Sequence, residues 1–143
     1  MLTELTIKDF ISKVISNDPV PGGGSVSALN GALAAALSAM VANLTVGRKK
    51  YAEVNDLMQE LSTRFEKLSQ KLIEDVDRDS DAYNRVFAAF KLPKETDEEK
   101  QFRSEAIQQE TKYAAQVPME VARAVYEVLP QIDAIAQKGN SNA

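Results

Sequence analysis

Asp79 stands where an apolar side chain is expected. The run Val54, Leu57, Leu61, Phe65, Leu68, Leu72, Val76, Tyr83, Val86 and Phe90 keeps helical intervals of three and four, and its rhythm lands on Asp79 between Val76 and Tyr83. An inward carboxylate is costly unless paired or hydrogen-bonded, and shifted carboxylates gather at catalytic sites. Its purely structural counterpart is an Asp tied to a Lys, an Arg or a helix terminus. A second candidate is Pro21-Gly22-Gly23-Gly24-Ser25, where glycines ahead of a helix expose backbone N–H groups that suit a carboxylate or phosphate. The same glycines also serve a tight connector. The segment lacks the Gly-Lys-Ser/Thr ending of a Walker A loop and the preceding strand of a dinucleotide fingerprint. The third candidate is Arg48-Lys49-Lys50-Tyr51, either a cationic subsite with a ring to stack on or a solvated cap that complements a helix dipole.

Composition narrows the chemistry further. The chain has 143 residues, 44% of them hydrophobic and 27% charged, which fits one folded soluble domain with a real core. It contains no Cys and no His, so thiolate nucleophiles, imidazole bases, disulfides and Cys/His metal sites are excluded, and no metal site is expected. Carboxylates, hydroxyls, Lys, Arg, Tyr and backbone must carry any reaction. The net charge of −4 lacks the cationic surface of non-specific nucleic-acid binding, so no nucleic-acid partner is expected. Met1 to Phe10 holds acidic residues and no apolar h-region, so a signal peptide is not expected; with the absence of Cys, this suits a cytoplasmic protein.

The elements that must position these residues read as helices. Ile7, Phe10, Ile11, Val14 and Ile15 share one helical face, and Thr6 with Asp9 forms a capping box, giving a first helix over about 6–16. It stops at Asn17 to Gly24, where prolines remove donors and glycines allow positive φ, and Ser25 is placed as the next N-cap. Val26 to Val46 is free of charge for 21 residues, long enough to span a bilayer, but Ser27, Asn30, Ser38, Asn43 and Thr45 favour a buried helix over a membrane span. Ala28, Gly31, Ala32, Ala35, Ala36 and Ala39 allow close helix approach, and covering this helix on all sides implicates a second subunit. A long helix follows over about 51–90, with room for one break. Lys91 to Glu95 ends it, and Thr96 with Glu99 opens the next, which Pro118 should kink or divide and Pro130 shorten. No segment alternates as a strand, so the expected fold is all-α, a helical bundle with long antiparallel neighbours.

Taken together and in order, Pro21-Gly22-Gly23-Gly24-Ser25, the segment Met40 to Tyr51, Asp79, Ala89-Phe90-Lys91-Leu92-Pro93-Lys94, Val117-Pro118 and Gly139-Asn140 resemble the cyclodeaminase/cyclohydrolase family. That family includes the C-terminal domain of formiminotransferase-cyclodeaminase and bacterial methenyltetrahydrofolate cyclohydrolases. The resemblance covers essentially the whole chain and implies an all-helical, homodimeric, folate-handling enzyme with no metal or redox cofactor. Family domains continue beyond the Gly-Asn turn into further helices, so residues 1–143 are expected to form a single domain that lacks them, as a fragment or a short variant.

The implied chemistry suits a chain without His or Cys. Methenyltetrahydrofolate is a cationic amidinium, already electrophilic, and its hydrolysis needs a positioned water and a nearby carboxylate. Asp79 takes that role, as cation stabiliser or proton relay. Cyclodeamination of formiminotetrahydrofolate also needs an acid, for which Lys49 and Lys94 are candidates. Pro21, Gly22, Gly23, Gly24 and Ser25 would hold part of the substrate, with Arg48 and Tyr51 beside it. Two other classes stay open: a non-catalytic helical oligomerisation or scaffold module, and a membrane-associated protein in which residues 26–46 insert.

Overall fold

The Thr6 hydroxyl accepts from the Asp9 N–H at 3.2 Å and donates to the Asp9 carboxylate at 2.6 Å, and helix α1 (Ile7–Ile15) begins directly behind this cap. The structure, a computed structural model, describes all 143 residues, Met1–Ala143. Four more helices follow: α2 (Gly23–Asn43), α3 (Asn55–Phe90), α4 (Asp97–Glu127) and α5 (Leu129–Lys138). Short 3-10 turns occupy Leu2–Glu4 and Lys49–Val54, and there is no strand. The all-α expectation therefore holds.

Several local expectations change. The predicted inner face of α1 buries only Phe10, leaving Ile7 80% and Ile15 78% exposed. Helix α2 begins two residues before Ser25, so Ser25 is an interior helical residue and not its N-cap. None of Gly22, Gly23 and Gly24 has a positive φ; Gly47, at +75°, is the residue that uses glycine's freedom. Helix α4 runs through Pro118 without a break, whereas α5 does restart at Leu129 with Pro130 in its first turn. Thr96 and Glu99 form the capping box read from the sequence: the Glu99 N–H donates to Thr96 Oγ1 at 3.2 Å and the Thr96 N–H to Glu99 Oε2 at 3.1 Å.

In α3 most of the buried positions fall in two heptad columns, which also hold the half-buried Leu68, Asp79 and Val86. One column holds Met58, Phe65, Leu72, Asp79 and Val86, and the other Leu61, Leu68, Asp75, Ala82 and Ala89. The apolar stripe drawn through Val76, Tyr83 and Phe90 runs one residue past the second column, and only Val76 of the three is buried. Tyr83 and Phe90 are consequently 38% and 53% exposed, while the small residues Ala82 and Ala89 lie inside. Two carboxylates, Asp75 and Asp79, thus occupy successive inner positions.

The chain packs as two compact units, Met1–Ala28 with Glu74–Val121, and Leu29–Ile73 with Ala122–Ala143. In the second unit, Ala35, Ala39 and Ala42 of α2 join Met58, Leu61 and Phe65 of α3 and Val128 and Ile135 in a hydrophobic core. Gly31 and the alanines bring α2 close: a Cβ at Gly31 would stand 3.2 Å from Leu72 Cδ1. Ser69 Oγ donates to Ala32 O at 3.0 Å, and Ser62 Oγ to Asn43 Oδ1 at 2.7 Å, so these α2 and α3 segments run antiparallel. The first unit also pairs antiparallel helices, with Arg78 of α3 bound to Glu120 of α4 and Arg85 to Glu110. The Leu2 N–H and the Thr3 hydroxyl both donate to Asp77, anchoring the N-terminal turn to α3. Coverage of α2 is one-sided. Ala28, Ala32, Ala35, Ala39 and Ala42 are buried, but Ala36 is exposed, and Leu33, Leu37, Met40 and Leu44 form an exposed stripe at intervals of four, three and four.

Candidate functional site

Pro21 is buried and follows a cis peptide bond to Val20; Gly22 and Gly24 are half-buried and Gly23 is exposed. The first helical bond of α2 runs from the Val26 N–H to Gly22 O at 3.1 Å, so the N–H groups of Gly23, Gly24 and Ser25 precede the ladder and have no intrahelical acceptor. The half-buried Asp79 carboxylate lies against this helix start. A Cβ at Gly24 would stand 2.5 Å from Asp79 Cγ, 2.6 Å from Oδ2 and closer still to Oδ1. Gly24 is therefore needed for close approach and not for an unusual turn.

Ser25 completes the contact. Its hydroxyl is fully buried and lies 3.0 Å from Asp79 Oδ2, 2.9 Å from the Val76 carbonyl and 3.0 Å from Ser80 Oγ. The result is a carboxylate whose position is fixed by a hydroxyl and by the bare Cα of a glycine.

One turn earlier, Asp75 is only 2% exposed. Arg78 Nε stands 3.2 Å from Asp75 Oδ1, and the same guanidinium binds Glu120. These carboxylates hold the guanidinium more firmly protonated, against the opposing effect of its desolvation. Sequence reading missed both Asp75 and Ser80. The available signal was spacing: Asp75 is four residues before Asp79 on the same helical face.

A separate cluster forms in the second unit. Tyr51 Oη lies 3.3 Å from Ser141 Oγ and accepts from the Ser141 N–H at 3.1 Å, while Lys50 Nζ stands 5.2 Å from the Tyr51 ring centroid. The Asn140 N–H donates to Thr45 Oγ1 at 2.8 Å and its amide to Leu44 O at 3.1 Å, with both side chains buried. Ser141's hydroxyl and N–H, with Lys50's charge, pull the Tyr51 phenol down from 10.0 to about 8 against a desolvation effect that opposes them. Arg48 and Lys49 are exposed beside it. Lys94 is exposed beyond the C-terminus of α3, whose last residue lies about 16 Å along the helix from Asp79 at 1.5 Å per residue. The structure therefore brings Asp79 together with Gly24 and Ser25 and does not bring Lys94 to them, while Arg48, Lys49 and Tyr51 follow the opposite end of α2, in the second unit.

The formiminotransferase-cyclodeaminase family model matches residues 6–143. Over 137 residues the chain is 41% identical to a methenyltetrahydrofolate cyclohydrolase of Methylorubrum extorquens, covering 96% of this chain and 66% of that protein. It is 36% identical over 139 residues to the formimidoyltransferase-cyclodeaminase of Rattus norvegicus, covering 97% of this chain and 26% of that protein. The chain thus spans just under two thirds of the first relative and about a quarter of the second. A crystal structure of formiminotetrahydrofolate cyclodeaminase from Thermotoga maritima superposes with a TM-score of 0.83 at 32% identity, covering 99% of this chain and 67% of that one.

Two measurements test these contacts. Gly23 has nothing within 4 Å of a built Cβ, so Gly23→Ala should leave the urea midpoint unchanged or raise stability by up to about 1 kcal/mol through lower unfolded-state entropy. Gly24→Ala should force the Asp79 carboxylate off Ser25 and lower stability by roughly 1–3 kcal/mol; equal effects at the two glycines would refute the close-approach account. Of the four tyrosines, one should ionise near pH 8 in an ultraviolet titration, and Tyr51→Phe should remove that step. Because the folded value lies below the unfolded one, the contribution is absent below about pH 8 and grows toward pH 10. Wild type should therefore gain stability relative to Tyr51→Phe across that window, and parallel curves would contradict the assignment.

Proposed function

The chain belongs to the formiminotransferase-cyclodeaminase family, and from that premise we propose that it is a folate enzyme that hydrolyses 5,10-methenyltetrahydrofolate to 10-formyltetrahydrofolate. The observation that carries this reading is the Asp79 carboxylate held by Ser25 against Gly24. The substrate's amidinium carbon, between N5 and N10, is electrophilic without a Lewis acid. Asp79 offsets the cation's charge and takes a proton from the attacking water as the C–O bond forms. That proton passes to N5 as the C–N5 bond breaks, and the second proton of the water leaves to solvent, which balances the reaction. No metal or redox cofactor takes part in this scheme. The N–H groups ahead of the α2 ladder supply donors to the substrate's polar groups.

Cyclodeamination of 5-formiminotetrahydrofolate is the second reading, supported by the names of the Rattus and Thermotoga relatives. There N10 attacks the formimino carbon and ammonia leaves, so an acid is needed in addition to Asp79.

We further propose a homodimer that covers the exposed stripe of Leu33, Leu37, Met40 and Leu44, beside a groove lined by Ala36, Ala39, Met40, Leu44, Glu66 and Gln70. An apolar stripe of this extent marks an interaction surface. Helix α2 is long and apolar enough to cross a bilayer, but its exposed Ser27 and Asn30 are better solvated by water than by lipid. The proposal names no membrane or nucleic-acid partner, and it assigns the enzyme to the cytoplasm, whose reducing conditions suit a cysteine-free chain.

Asp79→Asn should keep the fold and lower turnover of methenyltetrahydrofolate by about two orders of magnitude or more, while Asp81→Asn, on the exposed side, should leave it unchanged. A loss of melting temperature without a specific loss of activity, or equal effects at both positions, would favour a structural Asp79. Light scattering should report a dimer that Leu37→Glu dissociates; monomer alone from micromolar to millimolar concentration would overturn the assembly.

A further inference from the structure

Ser25 has one proton and two acceptors. Its hydroxyl oxygen lies 2.9 Å from the Val76 carbonyl and 3.0 Å from Asp79 Oδ2, and Ser80 Oγ, at 3.0 Å, completes its surroundings. Ser25 is 0% exposed and Ser80 6%, so the partners of this hydroxyl are protein groups.

We infer that Ser25 is a positioning residue for Asp79, a hydroxyl rotor that keeps the carboxyl group hydrogen-bonded both before and after it takes a proton. The inference rests on the reading of Asp79 as the base. With Asp79 ionised, the Ser25 hydroxyl donates to Oδ2, because a charged acceptor outcompetes a neutral carbonyl, and Ser80 donates to Ser25. Once Asp79 has taken a proton from water, its Oδ2–H donates to Ser25 Oγ, and the Ser25 hydroxyl turns to the Val76 carbonyl. Ser80 still donates into the second lone pair of Ser25. No bond is made or broken in this exchange beyond the proton that Asp79 gains. Each group has a partner in both states, so protonation of the base leaves no unsatisfied buried hydroxyl behind it.

The ionisable groups around Asp79 come from α3, α4 and the N-terminal turn. Helix α2 contributes none, since Gly23–Asn43 has no ionisable side chain. Helix α3 contributes Asp75, Asp77, Arg78, Asp81 and Tyr83, and α4 contributes Glu120, paired to Arg78. The N-terminal turn contributes Glu4, which pairs with the terminal amine of Met1.

The test is a double-mutant cycle on the protein, with methenyltetrahydrofolate turnover followed against pH. Ser25→Ala should lower kcat by roughly tenfold or more, as loss of a bond to a charged group does, with KM changed less than about twofold. Its acid limb should move to higher pH, because the carboxylate loses a donor that favours its charged form. In the Asp79→Asn background, Ser25→Ala should cost almost nothing further in kcat. Should the alanine variant fail to fold, Ser25→Cys keeps the volume with a weaker donor and carries the same measurements. An unmoved acid limb, or the same fold-loss in both backgrounds, assigns Ser25 to structure alone and overturns the inference. A crippled Asp79→Asn with a normal Ser25→Ala defeats the rotor only, whereas a fully active Asp79→Asn defeats the reading of Asp79 and the rotor with it.

Discussion

The Asp79 carboxylate occupies the column of α3 that Met58, Phe65 and Leu72 fill with apolar side chains, and a charge in that position is tolerated only where neighbouring groups replace water. Three features of the chain supply that replacement. Gly24 withholds a Cβ whose nearest approach would overlap the carboxylate. Ser25 brings a buried hydroxyl to Oδ2, and the start of α2 offers N–H groups whose dipoles favour a negative charge. Starting α2 at Gly23 matters for all three. A helix beginning two residues later would leave Ser25 as a cap, with its hydroxyl turned to its own backbone instead of to α3.

Charge around the site is divided between separate partners. Arg78 is engaged by Asp75 and by Glu120, which fastens α3 to α4 within the first unit while Asp79 keeps a hydroxyl as its donor. A guanidinium on Asp79 would hold the carboxylate strongly ionised and make it a poor proton acceptor. The second unit has a different character. Its core of Phe65, Met58 and the α2 alanines is apolar and buried, and the polar contacts of Asn140 with Thr45 and Leu44 O fasten the chain after α5 to the end of α2.

Much of this was legible in the residue pattern. Thr6 and Thr96 announced two helix starts through capping boxes, and the charge-free span after Pro21 announced α2, because such signals depend on local geometry that the structure preserves. Asp79 was legible because a carboxylate interrupts an otherwise apolar rhythm. Ser25 was misplaced because Ser after glycine suits an N-cap as well as an interior helical position, and only the packing of Gly24 on Asp79 decides between them. The burial of Asp75 was hidden because charge outweighs position in an apolar count. Conversely, Tyr83 and Phe90 were drawn inward because large side chains dominate such a count, although Ala82 and Ala89 mark the inner column. The exposed face of α1 shows that amphipathicity identifies a helix without identifying what covers it.

The proposed chemistry asks for neither imidazole nor thiolate, and the chain has no His and no Cys. A neutral amide would require its carbonyl to be polarised and a strong nucleophile to be generated, tasks that imidazole, thiolate or zinc perform elsewhere. A methenyl amidinium arrives already cationic, and attack by water discharges it, so the transition state has less positive charge on the substrate than the ground state. Electrostatic attraction from a fixed carboxylate alone would therefore favour the bound substrate over the transition state and contribute to binding more than to rate. The rate contribution must come from proton transfer, as the water becomes acidic during C–O bond formation and the carboxylate takes its proton. That requirement selects a base whose hydrogen bonds survive its own protonation. In the proposed scheme it gives the buried hydroxyl between Asp79 and the Val76 carbonyl a part that a permanently charged partner would not fill.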